Sequence, residues 1–277
     1  MPIKTNAMPK VVSREEWLDA RKKFLEKEKE MTRALDALNA ERRRQPVVKV
    51  EKIYVFQGEH EKVHLVDMFD GRKQLIIYHL MFQPEWDRAC PNCTHWTDEI
   101  SPAQLRHMHE GDTSFVLVSR APIEKIVKYK RERGWSIPWY SSYGTDFNFD
   151  FHVSFDESIA PIVYNYRTKE EHVKAGTAFY LESPQPFDLH GMSTFIRDGK
   201  QVFHASSFYA RGPETVGGAH YFLDLTVYGR QQEWEDSPEG WPQEKLDYTA
   251  TDSTKDPKSV RDDETPSSGG TTCGCDE

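Results

Sequence analysis

No run of about 18 apolar residues occurs in the 277-residue chain, which argues against a membrane-spanning helix. The longest candidate, Leu75 to Phe82, is interrupted by His79. The N-terminus, Met1-Pro2-Ile3-Lys4, lacks the apolar core of a secretory signal, so a soluble cytoplasmic protein is expected. Clustered positive charge is also missing. Residues 1–230 carry 32 acidic and 32 basic side chains, whereas residues 231–277 carry 13 and 4, so the tail holds the whole net charge of −9. A neutral body without a basic stripe speaks against nucleic acid or an anionic membrane as partner, because phosphate binding needs grouped Lys and Arg. The nearest patch, Glu41-Arg42-Arg43-Arg44, reads as the solvated end of a helix. There is no glycine-rich phosphate loop, no Gly-x-Ser-x-Gly elbow and no His-Glu-x-x-His, so nucleotide, serine-hydrolase and zincin chemistry lack support.

Cysteine is scarce as well. The four present, Cys90, Cys93, Cys273 and Cys275, form two close pairs, unlike the dense, dispersed cysteines of a secreted disulfide scaffold. A structural zinc site needs a second ligand pair on the folded body, and Cys273-Gly274-Cys275 has the wrong spacing for a zinc ribbon.

What is there suffices for a core: 37% hydrophobic residues and 12% aromatics. Ser13 followed by Glu16 is a capping-box signature, and the apolar residues between Trp17 and Leu38 predict a long amphipathic helix over residues 13–44. It reads as a packing or dimerisation arm. Strands are expected at Val47 to Val55 and Lys62 to Phe69, before an Asp70-Gly71 turn. Lys73 to Phe82 has the nearly continuous apolarity of a strand buried on both faces. A helix over Thr94 to His109, a strand at Thr113 to Ser119 and a helix from Ile123 to Arg133 follow, an order that implies a right-handed parallel crossover. Trp135 to Phe155 reads as an aromatic loop and Ala178 to Leu181 as a short strand. His190 to Phe195 and Gln201 to Ser206 form a hairpin around Asp198-Gly199, and His220 to Val227 reads as a closing strand. The expected organisation is a helical arm (1–45), an α/β body (46–230) and a flexible acidic tail with Cys-Gly-Cys (231–277).

The chemistry concentrates at Cys90-Pro91-Asn92-Cys93, between a buried strand and a helix. Cys90 falls at the helix start, with Pro91 pre-set for the first helical position. Free N–H groups and the positive end of the helix dipole favour its thiolate. Cys93, one turn on, can resolve a mixed disulfide formed by Cys90.

These motifs resemble the thioredoxin superfamily. YHLMFQPEWDRACPNC, GWSIPWYSSYGTDFNFDF, HGMSTFIRDGKQVFHASSFYARG and YFLDLTVYGR, with the N-terminal SREEWLDARKKFLEKEKEMTR, resemble a thioredoxin-like family of predicted dithiol-disulfide oxidoreductases over residues 13–230. The resemblance implies a thioredoxin-like mixed sheet flanked by helices, with thiol or disulfide substrates, small molecules among them. Two departures stand out. Where thioredoxins carry a cis-proline, counting back from Asp198-Gly199 reaches His190 or Gly191, and Arg88-Ala89 precedes Cys90 where thioredoxins carry Trp.

A histidine facing two cysteines serves as proton shuttle, metal ligand or core residue. Copper assembly proteins of the Sco type, also thioredoxin-like, bind copper with two cysteines and a histidine at the start of this hairpin. A Cu(I) site of Cys90, Cys93 and His190, as carrier or oxidase centre, is therefore the alternative to a metal-free redox pair, with Cys273 and Cys275 as further candidate ligands. A binding module retaining only the scaffold is third. The remaining histidines, His79, His95, His107, His109, His204 and His220, read as core or surface residues. The loop Gly134 to Ser142 either walls a small-molecule pocket or covers the sheet edge; Asp146 and Asp150 lie near it in sequence.

Overall fold

The computed structural model describes residues 8–216 and 218–243. Helix α1 (Arg14–Arg42) opens with the expected capping box, Ser13 accepting from the Glu16 amide and Glu16 from the Ser13 amide. None of its side chains is buried.

The segment expected as one strand after Pro46 is two. β1 (Val48–Lys49) and β2 (Val55–Gln57) lie far apart in the same sheet, and β2 forms a hairpin with β3 (Lys62–His64). The stretch expected to run as strand to Phe69 instead ends in a 3-10 turn at Asp67–Phe69. β4 (Gln74–His79) then enters the core. The single helix expected to His109 is broken into α2 (Pro91–Asp98) and α3 (Pro102–Glu110). Ser101 builds a second capping box and Pro102 has no N–H to continue the ladder, so the chain must restart there. β5 (Thr113–Ser119) and α4 (Ile123–Arg133) hold their expected bounds, and Gly134 closes α4 at φ +68°.

The aromatic stretch contains β6 (Trp139–Ser141), α5 (Phe147–Asp150) and β7 (Ser154–Phe155). β6 pairs with β5, a tertiary contact that no local period announces. A small lobe follows, with β8 (Val163–Tyr164), β9 (Arg167–Thr168), α6 (Lys169–Lys174) and β10 (Phe187–Asp188). Ala178–Leu181 is a 3-10 helix rather than a strand, its capping positions in helical or bridging conformation. β11 (Gly191–Asp198) and β12 (Gln201–Tyr209) form the expected hairpin. The closing strand is absent: α7 (Ala219–Leu223) occupies its start, and the sheet edge beyond β12 is already taken by β1. Residues up to Gln243 continue onto the body, Arg211 lying over the Trp234 ring and Tyr228 packing edge-on against Trp241.

The main sheet runs β1-β12-β11-β4-β5-β6-β2-β3. β4, β5 and β6 are parallel, and the β11–β12 hairpin lies antiparallel beside β4. This central order, with a helix leaving β4 and crossing back to β5, is the thioredoxin-like arrangement. Side chains alternate across β4: Tyr78 faces α2 and α4 in one core, and Leu75 and Ile77 face Phe147, Phe151 and Phe195 in the other. Burying each of these aliphatic side chains stabilises the fold by about 1.5–3 kcal/mol.

On the second face His79 is almost fully buried, its Nε2 2.8 Å from Ser193 Oγ. Ser193 Oγ is 2.8 Å from Ser207 Oγ, itself 2.8 Å from His204 Nε2. A polar file thus crosses β4, β11 and β12. Burial, then the neighbouring His204, pushes the His79 imidazole down to about 3 from its ordinary 6.5. Between those values the unfolded chain holds the extra proton, so stability is full above pH 6.5 and falls as pH drops toward 3. We expect unfolding free energies, measured by urea titration from pH 7 to pH 4, to decline more steeply in the native protein than in His79→Gln. The difference approaches about 1.4 kcal/mol per pH unit for one proton; parallel curves would refute the assignment.

Candidate active site

The site is built where β4 ends. Residues 80–89 loop from its tip, and the Cys90 N–H donates to the Met81 carbonyl at 2.9 Å. Lys125 of α4 holds the loop from outside, its Nζ donating to the carbonyls of Pro84 at 2.9 Å and Trp86 at 2.8 Å. Cys90 is the N-cap of α2 with Pro91 directly after it, and its carbonyl accepts the Thr94 N–H at 2.9 Å. Cys93 is buried, Cys90 half-buried, and both are free thiols.

The two sulfurs differ sharply. Hydrogen bonding from the Cys93 thiol is the largest influence on Cys90; burial opposes it, and the backbone N–H groups of Cys93 and Asn92 assist, leaving Cys90 lowered to about 7. The proximity of Cys90 and then burial drive Cys93 well above the ordinary thiol range. One sulfur is thus favoured as a thiolate near neutral pH, and its neighbour is held protonated.

Tyr78 is the site residue that the sequence did not reveal. Its hydroxyl lies beside the Cys93 sulfur and favours a Cys93 thiolate; burial first, and the two cysteines after it, raise its own ionisation well above the usual phenol range. Its ring packs 4.5 Å from that of Trp96. In the sequence Tyr78 looks like any aromatic of a buried strand, and only its side of β4 assigns it to the cysteines. Met81, Trp86, Met192 and Phe208 complete an apolar surround.

His190 is placed differently by backbone and side chain. Gly191 pairs with His79 across β11 and β4, so the His190 backbone does lie at the end of β4, next to the cysteine loop. Its Nε2, however, donates to the Ala210 carbonyl at 2.9 Å, and burial lowers its pKa. Among the described residues, no three His, Cys, Asp or Glu side chains gather to hold a metal ion. His190 Nε2 is thus engaged by a backbone carbonyl beside the cysteine loop. Cys273 and Cys275 lie outside the described residues, and nothing is described of the His220 side chain.

The other candidates have local roles. His95 and His107 are exposed beside Glu99 and Glu110, and His109 lies at the end of α3. Asp146 and Asp150 are joined by Lys52, whose Nζ is 2.7 Å from each. In the loop from Gly134, Ile137 and Trp139 are buried in the core, and the Trp139 indole N–H donates to Ser119 at 2.9 Å. Asp150 and His204 instead line a separate cavity of about 440 Å³, together with Tyr54, His152 and Tyr166 but neither cysteine. No helix among the described residues is long and apolar enough to cross a membrane.

Fold and site define a thioredoxin-like α/β protein with a near cysteine pair at a helix head, an arrangement suited to redox chemistry. The chain belongs to the family described as "Bacterial protein of unknown function (DUF899)", which matches residues 6–249. No curated protein matches it in sequence. Among solved structures it is similar to Peroxidoxin BcpB from Mycobacterium tuberculosis, at 12% identity and a TM-score of 0.40, over 60% of this chain and 85% of that one. A cysteine-to-serine mutant of Peroxiredoxin Q from Xanthomonas campestris is similar at 11% identity and a TM-score of 0.37, over 58% and 83%. A putative protein disulfide isomerase from Bacteroides thetaiotaomicron is similar at 19% identity and a TM-score of 0.28, over 37% and 61%.

The asymmetry of the pair is directly measurable. Alkylation of the native protein across pH should occur first at Cys90, with a midpoint near 7. In Cys93→Ala that midpoint should rise, because the largest stabiliser of the Cys90 thiolate is gone. An unchanged midpoint would show that the helix terminus alone sets the reactivity.

Proposed function

We propose that the protein is a thiol-disulfide oxidoreductase in which Cys90 attacks and Cys93 resolves. What supports this reading is the placement of two free thiols one helical turn apart at the head of α2, the half-buried one lowered to about 7 and the buried one raised. The Cys90 thiolate attacks one sulfur of a substrate disulfide; a bond forms between Cys90 and that sulfur, and the other substrate sulfur leaves as thiolate and takes a proton from water. Cys93 then gives up its proton to solvent and attacks the Cys90 sulfur, releasing the second substrate thiolate and closing an internal disulfide. The substrate is reduced by two electrons and the cysteine pair oxidised by two. A small external dithiol returns the pair to the reduced state.

Tyr78 contributes at the second step. Its hydroxyl stands beside Cys93 and stabilises that thiolate only when it forms. The apolar surround of Met81, Trp86, Met192 and Phe208 suits an uncharged stretch around the substrate disulfide. A metal analysis of protein purified under reducing conditions, with thiol titration of the same sample, separates this reading from copper carriage: two reactive core thiols and no bound copper support it.

Cys93→Ser should trap a stable mixed disulfide on Cys90 when the protein is treated with a disulfide substrate, detectable by mass spectrometry of the peptide carrying Cys90. Trapping on Cys93 in the converse Cys90→Ser protein, with none in Cys93→Ser, would reverse the roles.

A further inference from the structure

The cavity of about 440 Å³ on the second face of the sheet has no part in the thiol chemistry. Departures from regular backbone shape its lining. In β12 the register slips at Ala205, with Thr194 opposite Ser206 but Phe195 opposite His204. Residues three apart on a strand ordinarily fall on opposite faces. The extra residue of the bulge turns His204 to the side of Ser207, and its Nε2 comes 2.8 Å from Ser207 Oγ. His152 and Tyr166, also in the lining, stand at φ +52° and +63°, a conformation that a large side chain keeps where its surroundings over-determine it. Two hydrogen bonds pin Tyr166: its hydroxyl donates to the Ser207 carbonyl at 2.8 Å and accepts the Ser207 N–H at 3.2 Å.

The lining decides what class of ligand fits. Rings dominate it: Tyr54, Phe151, Tyr166 and Tyr209, with the imidazoles of His152 and His204. The tyrosine protons are spent, Tyr54 donating to Asp150 Oδ2 at 2.7 Å and Tyr209 to the Phe151 carbonyl at 2.9 Å, as Tyr166 does to Ser207. So are the charges. Lys49 pairs with Glu51 at 3.0 Å, and Lys52 with Asp146 and Asp150 at 2.7 Å each, so a charged ligand would find no free counter-charge. The His152 ring is different: it is half-buried and makes no hydrogen bond among the described residues. Burial, partly offset by Asp150, lowers its pKa, and the proximity of His152 and His204 disfavours positive charge between them. His152 is therefore a neutral imidazole with hydrogen-bonding capacity to spare.

We infer that this cavity is a second binding site, for a small uncharged aromatic alcohol of the phenol class, its ring among Tyr54, Phe151, Tyr166 and Tyr209 and its hydroxyl hydrogen-bonded to the His152 imidazole. Apolar rings with one or two placed polar groups are the usual build of a small-molecule site, and the volume suits a single substituted ring. A phenol keeps its proton at neutral pH. It thus brings no charge into a lining that has none to spare, and it gives His152 the partner that the fold does not supply.

The probe is p-cresol, titrated into the full-length protein at neutral pH and followed through the imidazole C–H proton resonances. Toluene, p-toluate and benzylammonium serve as matched rings that lack the hydroxyl or carry a charge. p-Cresol should bind saturably, shift the His152 resonance, which is identified by its loss in His152→Asn, and bind about tenfold tighter than each of the other three. Glycine accepts a positive φ, so His152→Gly should keep the native circular dichroism and Cys90 alkylation rate while weakening p-cresol about tenfold. If that variant does not fold, the His152 resonance of the native protein decides alone. Tighter binding of p-toluate or benzylammonium would overturn the uncharged class, and toluene binding as tightly as p-cresol would overturn the role of the hydroxyl. Saturable binding that leaves the His152 resonance unmoved, or full affinity in folded His152→Gly, would place the ligand elsewhere and overturn the site, as would the absence of saturable binding.

Discussion

Strand β4 is buried on both faces, and the site exists because of what it holds at its tip. Its parallel pairing with β5 and antiparallel pairing with β11 fix the strand end in three dimensions. From there a loop of ten residues returns to hydrogen-bond Met81 through the Cys90 amide. That bond sets the start of α2, and the start of α2 sets the chemistry of the sulfur. Tyr78, two residues before the strand runs into the loop, reaches the second sulfur from below. Loosening β4 would therefore disturb both thiols together.

At the cysteine pair two opposing effects are balanced within a few ångströms. Burial alone would raise both thiols, since a thiolate loses hydration. A neighbouring S–H and the unsatisfied N–H groups of a helix start reverse this for Cys90, while Cys93 receives the full effect of burial and of the adjacent negative sulfur. The same strand places His79 on its other side among phenylalanines, where hydrogen bonding to Ser193 leaves a neutral imidazole in place. Alternation along one strand thus separates the cysteine-bearing face from a polar file that crosses the sheet.

Much of the fold was legible because its signals are local. Ser13 with Glu16 began α1, Gly134 ended α4, and Asp198-Gly199 turned β11 into β12, each through backbone chemistry confined to a few residues. The break between α2 and α3 was also written locally, in Ser101, Pro102 and Gln104, but the apolar period running across it masked the signal. Trp139 to Ser141 could not be read as a strand, because its partner β5 supplies the ladder. His220 to Val227 carried the β-formers of a strand, but the place beside β12 is taken by β1.

By itself the sequence determined that a thiolate-favouring cysteine stands at a helix head with a second cysteine one turn later, because proline, helix start and spacing are properties of adjacent residues. It also determined the long helical arm, through the capping box that starts it. Only the tertiary structure decided which side chains face the sulfurs. His190, near Cys90 by counting along the hairpin, spends its ring nitrogen on the Ala210 carbonyl, whereas Tyr78, one aromatic among many, meets Cys93. The reason is physical: chain position limits how far a backbone can lie from another, but the direction of a side chain follows from which face of the sheet the pleat assigns it and which polar partner lies there.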